Sequence, residues 1–175
     1  MKLEDTIMTV KDFPKKGVQF KDITSLIEKP EAFRQAIDEM AELCKEMGAE
    51  VIVGAEARGF ILGAPIAYKL GLGFVPLRKP GKLPRENATY TYELEYGTDT
   101  LCVTKDSIKK GAKCVIVDDI VALGGTMDAG KHLIQSLGGE LVGMVALMGL
   151  TSLPGVKRLE KDNLKCLIYD DVKDE

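Results

Sequence analysis

Apolar residues recur at three- and four-residue steps through Phe33, Ala36, Ile37, Met40, Leu43, Cys44 and Met47, which predicts an amphipathic helix over 30–47. Pro30 suits its first position and Gly48 its stop. The pattern then changes to a short apolar run over 50–54, a second helix over 59–70 closed by Gly71, and another apolar run over 73–77. Two buried strands joined by a helix imply a parallel pair, since a tight turn cannot make that connection.

Residues 78–87 are rich in proline, glycine and basic side chains and read as a mobile loop. Alternation over 90–96 and again over 100–104 predicts an antiparallel hairpin at a sheet edge. The most apolar strand follows at 114–118. After it come a glycine-rich turn and a helix over 126–137, with Leu133, Ile134 and Leu137 on one face and a stop at Gly138 and Gly139. Runs at 141–150 and 164–169 supply the last strands. Strands and helices in alternation, with near-continuous apolar strands, predict an α/β fold: a mostly parallel sheet flanked by helices on both faces. Neither a repeat nor a linker is visible, so 1–175 reads as one domain.

Composition narrows the chemistry. The chain has 24 Lys and Arg against 27 Asp and Glu, a net charge of −3, with its basic residues in short groups such as Lys15–Lys16 and Lys109–Lys110. That argues against a nucleic-acid surface, which needs a basic face. Apolar runs stay well short of the roughly 20 residues of a membrane helix. The N-terminus is acidic and carries no signal-peptide core, so the expectation is a cytoplasmic protein with no membrane partner. Cys44, Cys102, Cys114 and Cys166 form no CxxC pair and read as reduced thiols, Cys114 and Cys166 as small buried hydrophobes. His132 is the only histidine; it reads as a solvated helix residue, and histidine-dependent nucleophilic or metal chemistry goes with it.

The stretch that carries chemistry is VIVDDIVALGGT, residues 115–126. Ligands in parallel sheets bind outside the carboxyl ends of strands. Here Asp118 and Asp119 leave a buried strand together, and Gly124 and Gly125 open a helix whose unpaired N–H groups suit an anion. Thr126 can donate a hydroxyl or cap the helix. Carboxylates repel phosphate, so they should face sugar hydroxyls or a divalent cation. The whole describes a sugar-phosphate pocket. A second candidate, GTMDAGK over 125–131, matches GxxxxGK, but His132 stands where a Walker A motif has Ser or Thr and the motif falls inside a helix.

The 115–126 run resembles the phosphoribosyl-pyrophosphate motif of type I phosphoribosyltransferases. Further segments, FPKKGVQFKDI (13–23), GAEARGF (54–60), RKPGKLP (78–84) and LEYG (94–97), resemble the adenine-specific branch of that family, in its order and spacing. The resemblance implies the family's core with an N-terminal base-binding segment and a flexible antiparallel hairpin. It implies that adenine and phosphoribosyl pyrophosphate give AMP and pyrophosphate with Mg²⁺, in a homodimer. By position, Asp118 and Asp119 would hold the ribose hydroxyls and supply any protein ligands to a Mg²⁺ carried by the substrate. Ala122, Leu123, Gly124, Gly125 and Thr126 would wrap the 5′-phosphate. Glu56, Ala57 and Arg58 form the pyrophosphate loop, its Glu56–Ala57 peptide cis in the family, helped by Arg78 and Lys82. Phe20 would stack on adenine while the backbone of Gln19 and Lys21 reads its edge. Arg58 and Glu95 would be catalytic: Arg58 stabilises the leaving pyrophosphate, and Glu95 accepts the proton adenine loses or stabilises the cationic sugar. The 82–98 segment would close over the site to exclude water.

One position departs from the pattern. The family has Thr before the glycine pair, and this chain has Leu123. Either a hydroxyl donor to phosphate is lost, at about 1.5–3 kcal/mol, or the position tolerates drift. A non-catalytic nucleotide sensor on the same fold is the alternative reading that Leu123 favours; an enzyme for 6-oxopurines fits the acidic-loop pattern less well.

Overall fold

The computed structural model describes residues 1–94 and 96–171. After a 3-10 turn (Leu3–Thr6), β1 (Met8–Lys11) and β2 (Gln19–Asp22) form an antiparallel pair with Val10 opposite Phe20. Then follow α1 (Thr24–Ile27), α2 (Pro30–Glu46), β3 (Val51–Ala55), α3 (Arg58–Leu70) and β4 (Gly73–Leu77). The second half comprises β5 (Asn87–Glu93), β6 (Thr98–Thr104), β7 (Lys113–Val121), α4 (Gly125–Ser136), β8 (Glu140–Leu150), α5 (Gly155–Leu159) and β9 (Leu164–Asp170).

The main sheet runs β4-β3-β7-β8-β9, parallel at every pairing. From β3 the chain moves outward to β4, then returns to the other side of β3 and continues through β7, β8 and β9. The order therefore reverses between β3 and β7, and the loops leaving those two strands face one crevice.

Strand alternation sorts the core into two layers. Val115 and Val117 of β7 pack with Leu26, Met40 and Ile66 of α1, α2 and α3. Cys114 and Ile116 turn the other way, to Leu133 and Ile134 of α4 and to Leu101 and Val103 of β6. Each such fully buried aliphatic side chain stabilises the fold by about 1.5–3 kcal/mol. Gly63 of α3 sits so close to β4 that a Cβ there would come within 2.6 Å of the Phe74 ring. All four cysteines are buried free thiols.

α2, α3, α4 and the parallel strands other than β7 lie within a residue or so of their expected bounds, and Gly48 and Gly71 stop α2 and α3 at positive φ (80° and 68°). Three expectations change. β7 continues through both aspartates to Val121 instead of ending at Asp118, because the ladder to β8 holds as far as Val121 opposite Gly149. The hairpin is a separate two-stranded sheet, joined to the end of β4 by paired bonds from Arg78 N–H to Cys102 O (3.0 Å) and back (2.7 Å). Its strands span 87–93 and 98–104 because the turn closes early, with Leu94 N–H on Gly97 O at 2.9 Å and Gly97 at φ 85°. His132 is exposed as expected, yet its ring stacks on Tyr90 at 4.4 Å.

Candidate active site

The crevice between β3 and β7 is built from two loops. At the end of β7, the Asp119 N–H bonds the Asp118 carboxylate at 2.9 Å, and the Arg58 Nε–H, from the first turn of α3, bonds the Asp119 carboxylate. Asp119 is 4% exposed. Burial, then the Asp119 charge beside it, pushes the Asp118 carboxyl well above the usual range, and the Arg58 charge only partly offsets this. Glu56, Ala57, Arg58, Asp118, Asp119 and Thr126 together border a cleft of about 300 Å³.

The next segment, Ala122–Gly125, forms an open loop. Gly124 is the N-cap of α4 at φ 85°, a conformation that suits glycine, and no side chain caps the helix. Thr126 lies inside the first turn with its hydroxyl against the Tyr92 phenol, so of its two expected uses the cap is not realised. The α5 segment buttresses this loop: Gly155 N–H bonds Ala122 O at 2.9 Å. A Cβ on Gly155 would run into Ala122 O and stand 2.8 Å from Gly124 N, so only glycine allows the approach.

Across the crevice, Glu56 gathers the basic segment. It accepts from Lys82 Nζ (2.7 Å), the Lys79 N–H (2.6 Å) and Arg78 Nε (3.4 Å). Partial burial pushes the Glu56 carboxyl up, but these hydrogen bonds and charges outweigh it and hold it below its usual value. Lys79 Nζ is paired with Asp99 of β6, whose carboxyl is held low chiefly by that bond. Thus Arg58, Arg78 and Lys82, the three cations expected at pyrophosphate, each rest on a carboxylate. The Glu56–Ala57 peptide is cis, as expected.

A family model described as phosphoribosyl transferase domain matches residues 24–174. The adenine phosphoribosyltransferase of Alkaliphilus oremlandii is 49% identical over 168 residues, covering 96% of this chain and 98% of that one. The chain belongs to the adenine phosphoribosyltransferase family. A crystal structure of the adenine phosphoribosyltransferase from Thermoanaerobacter pseudethanolicus superposes with a TM-score of 0.91 at 47% identity, over 95% of this chain and 97% of that one. The Saccharomyces cerevisiae enzyme, solved with an imino-altritol bisphosphate and adenine, gives 0.85 at 36% identity over 95% of each chain.

Among the positions that the adenine phosphoribosyltransferase pattern suggested, Gln19, Phe20 and Lys21 lie in β2 and do not line the cleft described above. The Phe20 ring meets Phe13 edge-on at 5.1 Å, and Lys21 Nζ holds Asp170 at 2.9 Å and Thr9 at 2.8 Å. That ties β2 to the carboxyl end of β9, the end of the sheet on which the crevice opens. Glu95 lies outside the described residues. Leu123 projects from the loop over 122–125, 45% exposed.

Four residues of this neighbourhood were not anticipated from sequence: Lys79, Tyr92, Asp99 and Arg158. Lys79 at least sits in the basic segment. Arg158 had no signal at all, since its helix has five residues and no apolar periodicity.

No cluster of three or more His, Cys, Asp or Glu able to hold a metal occurs among the described residues. Two carboxylates at Asp118 and Asp119 still fit Mg²⁺, which typically takes one or two carboxylates and completes its shell with substrate oxygens and water.

Proposed function

We propose that the protein transfers the 5-phosphoribosyl group from phosphoribosyl pyrophosphate to adenine, releasing pyrophosphate and forming AMP. The observation that carries this reading is the convergence of Arg58, Asp118, Asp119 and the phosphate loop at the reversal point of the sheet. Family membership supports the substrate pair.

Displacement of pyrophosphate from C1′ builds positive charge on the sugar and negative charge on the leaving group. Arg58, Arg78 and Lys82 meet the second charge, trading their carboxylates for pyrophosphate oxygens. Asp118 and Asp119 accept hydrogen bonds from the ribose hydroxyls, and the open N-terminus of α4 with Thr126 receives the 5′-phosphate. Mg²⁺, held by substrate oxygens and these aspartates, would neutralise part of the pyrophosphate charge. Phe20 stacks on adenine; Gln19 and Lys21, two apart in β2, present their backbone groups on one strand edge, which suits reading of the base. Glu95, in the segment joining β5 to β6, acts at the reacting sugar or base. One domain carries all of this, working as a cytoplasmic homodimer. No helix among the described residues is long and apolar enough to cross a membrane, and the charge balance gives nucleic acid no basic face.

The test is pyrophosphate release with adenine, hypoxanthine or guanine, each with phosphoribosyl pyrophosphate and Mg²⁺. Turnover with adenine alone is expected. No turnover with any base, together with tight AMP binding, would overturn catalysis and leave a nucleotide sensor.

A further inference from the structure

The cleft around the phosphate loop has an uneven charge. It encloses about 270 Å³ against Tyr92, Asp118, Leu123, Gly125, Thr126 and Arg158, with Glu93 also on its wall. Arg158 is the one cation among the described residues that line it. A phosphate monoester carries close to two negative charges at neutral pH. Backbone N–H groups and one threonine hydroxyl must receive it beside the carboxylates of Asp118 and Glu93. At the position before the glycine pair the loop offers only the apolar side chain of Leu123.

Resting on the reading of this cleft as the 5′-phosphate site, we infer that Arg158 is a phosphate-binding residue of the protein. Its guanidinium is already aimed. NH1 donates to Leu123 O at 3.4 Å, and NH2 donates to the Asp128 carboxylate at 3.0 Å. The first contact lays the fork along the phosphate loop; the second anchors it on the first turns of α4. The side chain stays 47% exposed. With one bond to each of those partners, the guanidinium keeps further N–H donors for a ligand among its five. Its backbone cannot drift, because Gly155, three residues earlier, is locked against Ala122 and Gly124. A planar, bidentate donor suits phosphate oxygens. Asp128 is the resting partner: the guanidinium swings from carboxylate to phosphate, keeping its hold on the loop carbonyl.

Calorimetric titration with AMP and with adenosine separates phosphate binding from base and ribose binding. In Arg158→Met, AMP should bind roughly 10- to 100-fold more weakly, while adenosine affinity holds. Arg158→Lys, which keeps the charge but not the fork, should fall between. Asp128→Asn breaks the same ion pair yet frees the guanidinium, so it should bind AMP at least as tightly as the parent protein. Undiminished AMP affinity in Arg158→Met overturns the inference. So does an equal loss for adenosine, or an Asp128→Asn loss matching that of Arg158→Met; these outcomes mark a structural ion pair. If the parent protein binds AMP no better than adenosine, the 5′-phosphate reading of the cleft fails first, whatever the variants do.

Discussion

Arg58 donates its Nε–H to Asp119, so the cation assigned to pyrophosphate and a carboxylate assigned to ribose hold each other before either meets substrate. That ion pair fixes Arg58 at the crevice. Arg58→Ala should lower kcat by about 10²–10³, the usual cost of removing one charge-stabilising donor. AMP, which lacks pyrophosphate, should still bind within a few-fold. Steady-state pyrophosphate release alongside AMP titration checks both.

Asp118 and Glu56 should respond oppositely to pH. The folded state raises the Asp118 pKa above its unfolded value of about 3.9, so the native protein binds the extra proton. Its stability is then greatest below that value and declines as pH rises through the folded pKa. Asp118→Asn keeps an acceptor for the Asp119 N–H and removes this decline. The variant should melt higher than the parent at neutral pH while losing affinity for phosphoribosyl pyrophosphate. Glu56 is held low by its basic partners, so its contribution is present above about pH 4.3 and lost as pH falls through the folded pKa. Glu56→Gln should therefore lower the melting temperature at neutral pH and leave it unchanged in acid. A melting series across pH reads both effects.

On the 5′-phosphate reading of the 122–126 loop, Leu123→Thr restores a hydroxyl donor there. The Michaelis constant for phosphoribosyl pyrophosphate should fall by up to about tenfold, the low end for a hydrogen bond to a charged group, with kcat little changed. Initial-rate kinetics at saturating adenine measure it.

Gly155→Ala forces a methyl group into Ala122 O and the Gly124 amide. Overpacking of this kind costs about 1–3 kcal/mol, or a melting shift of several degrees for a chain of this size. Because the displaced atoms belong to the loop proposed to take the 5′-phosphate, AMP affinity should drop as well. Calorimetric melting and AMP titration on one preparation would show the two losses together.

The thiols should be inert in the native protein. Burial pushes Cys44 up to about 12 and Cys114 and Cys166 to about 11, and Cys102 is also raised. Brief iodoacetamide treatment at pH 8 should leave all four unmodified, with all four reacting in denaturant. Intact-mass spectrometry counts the adducts.

α2 and α3 were legible because their ends are written in local chemistry: Pro30 starts α2, and Gly48 and Gly71 adopt the left-handed backbone that stops α2 and α3. The phosphate loop was legible for the same reason. The end of β7 was not, since two adjacent aspartates look like an exit from the sheet; Arg58, distant in sequence, pairs with the buried Asp119 as the strand runs on to Val121. β1 and β2 carried too little signal: each has four residues and neither buries a face, all of β1 being exposed and all of β2 half-buried. Lys79 meets Asp99 through the antiparallel bridge of Arg78 to Cys102, which no local pattern encodes.

The crevice draws on stretches widely separated along the chain: Arg58 lies 61 residues from Asp119, and Arg158 lies 35 from Leu123. Nucleotide binding is therefore an attribute of the finished topology, and a chain ending before α5 would lack one wall of the cleft. Occupancy in turn clamps these stretches together. At about 100 times its dissociation constant, AMP would add about 2.7 kcal/mol to the unfolding free energy. Cellular nucleotide supply would thus set how long the protein survives proteolysis, making its lifetime a function of its own product.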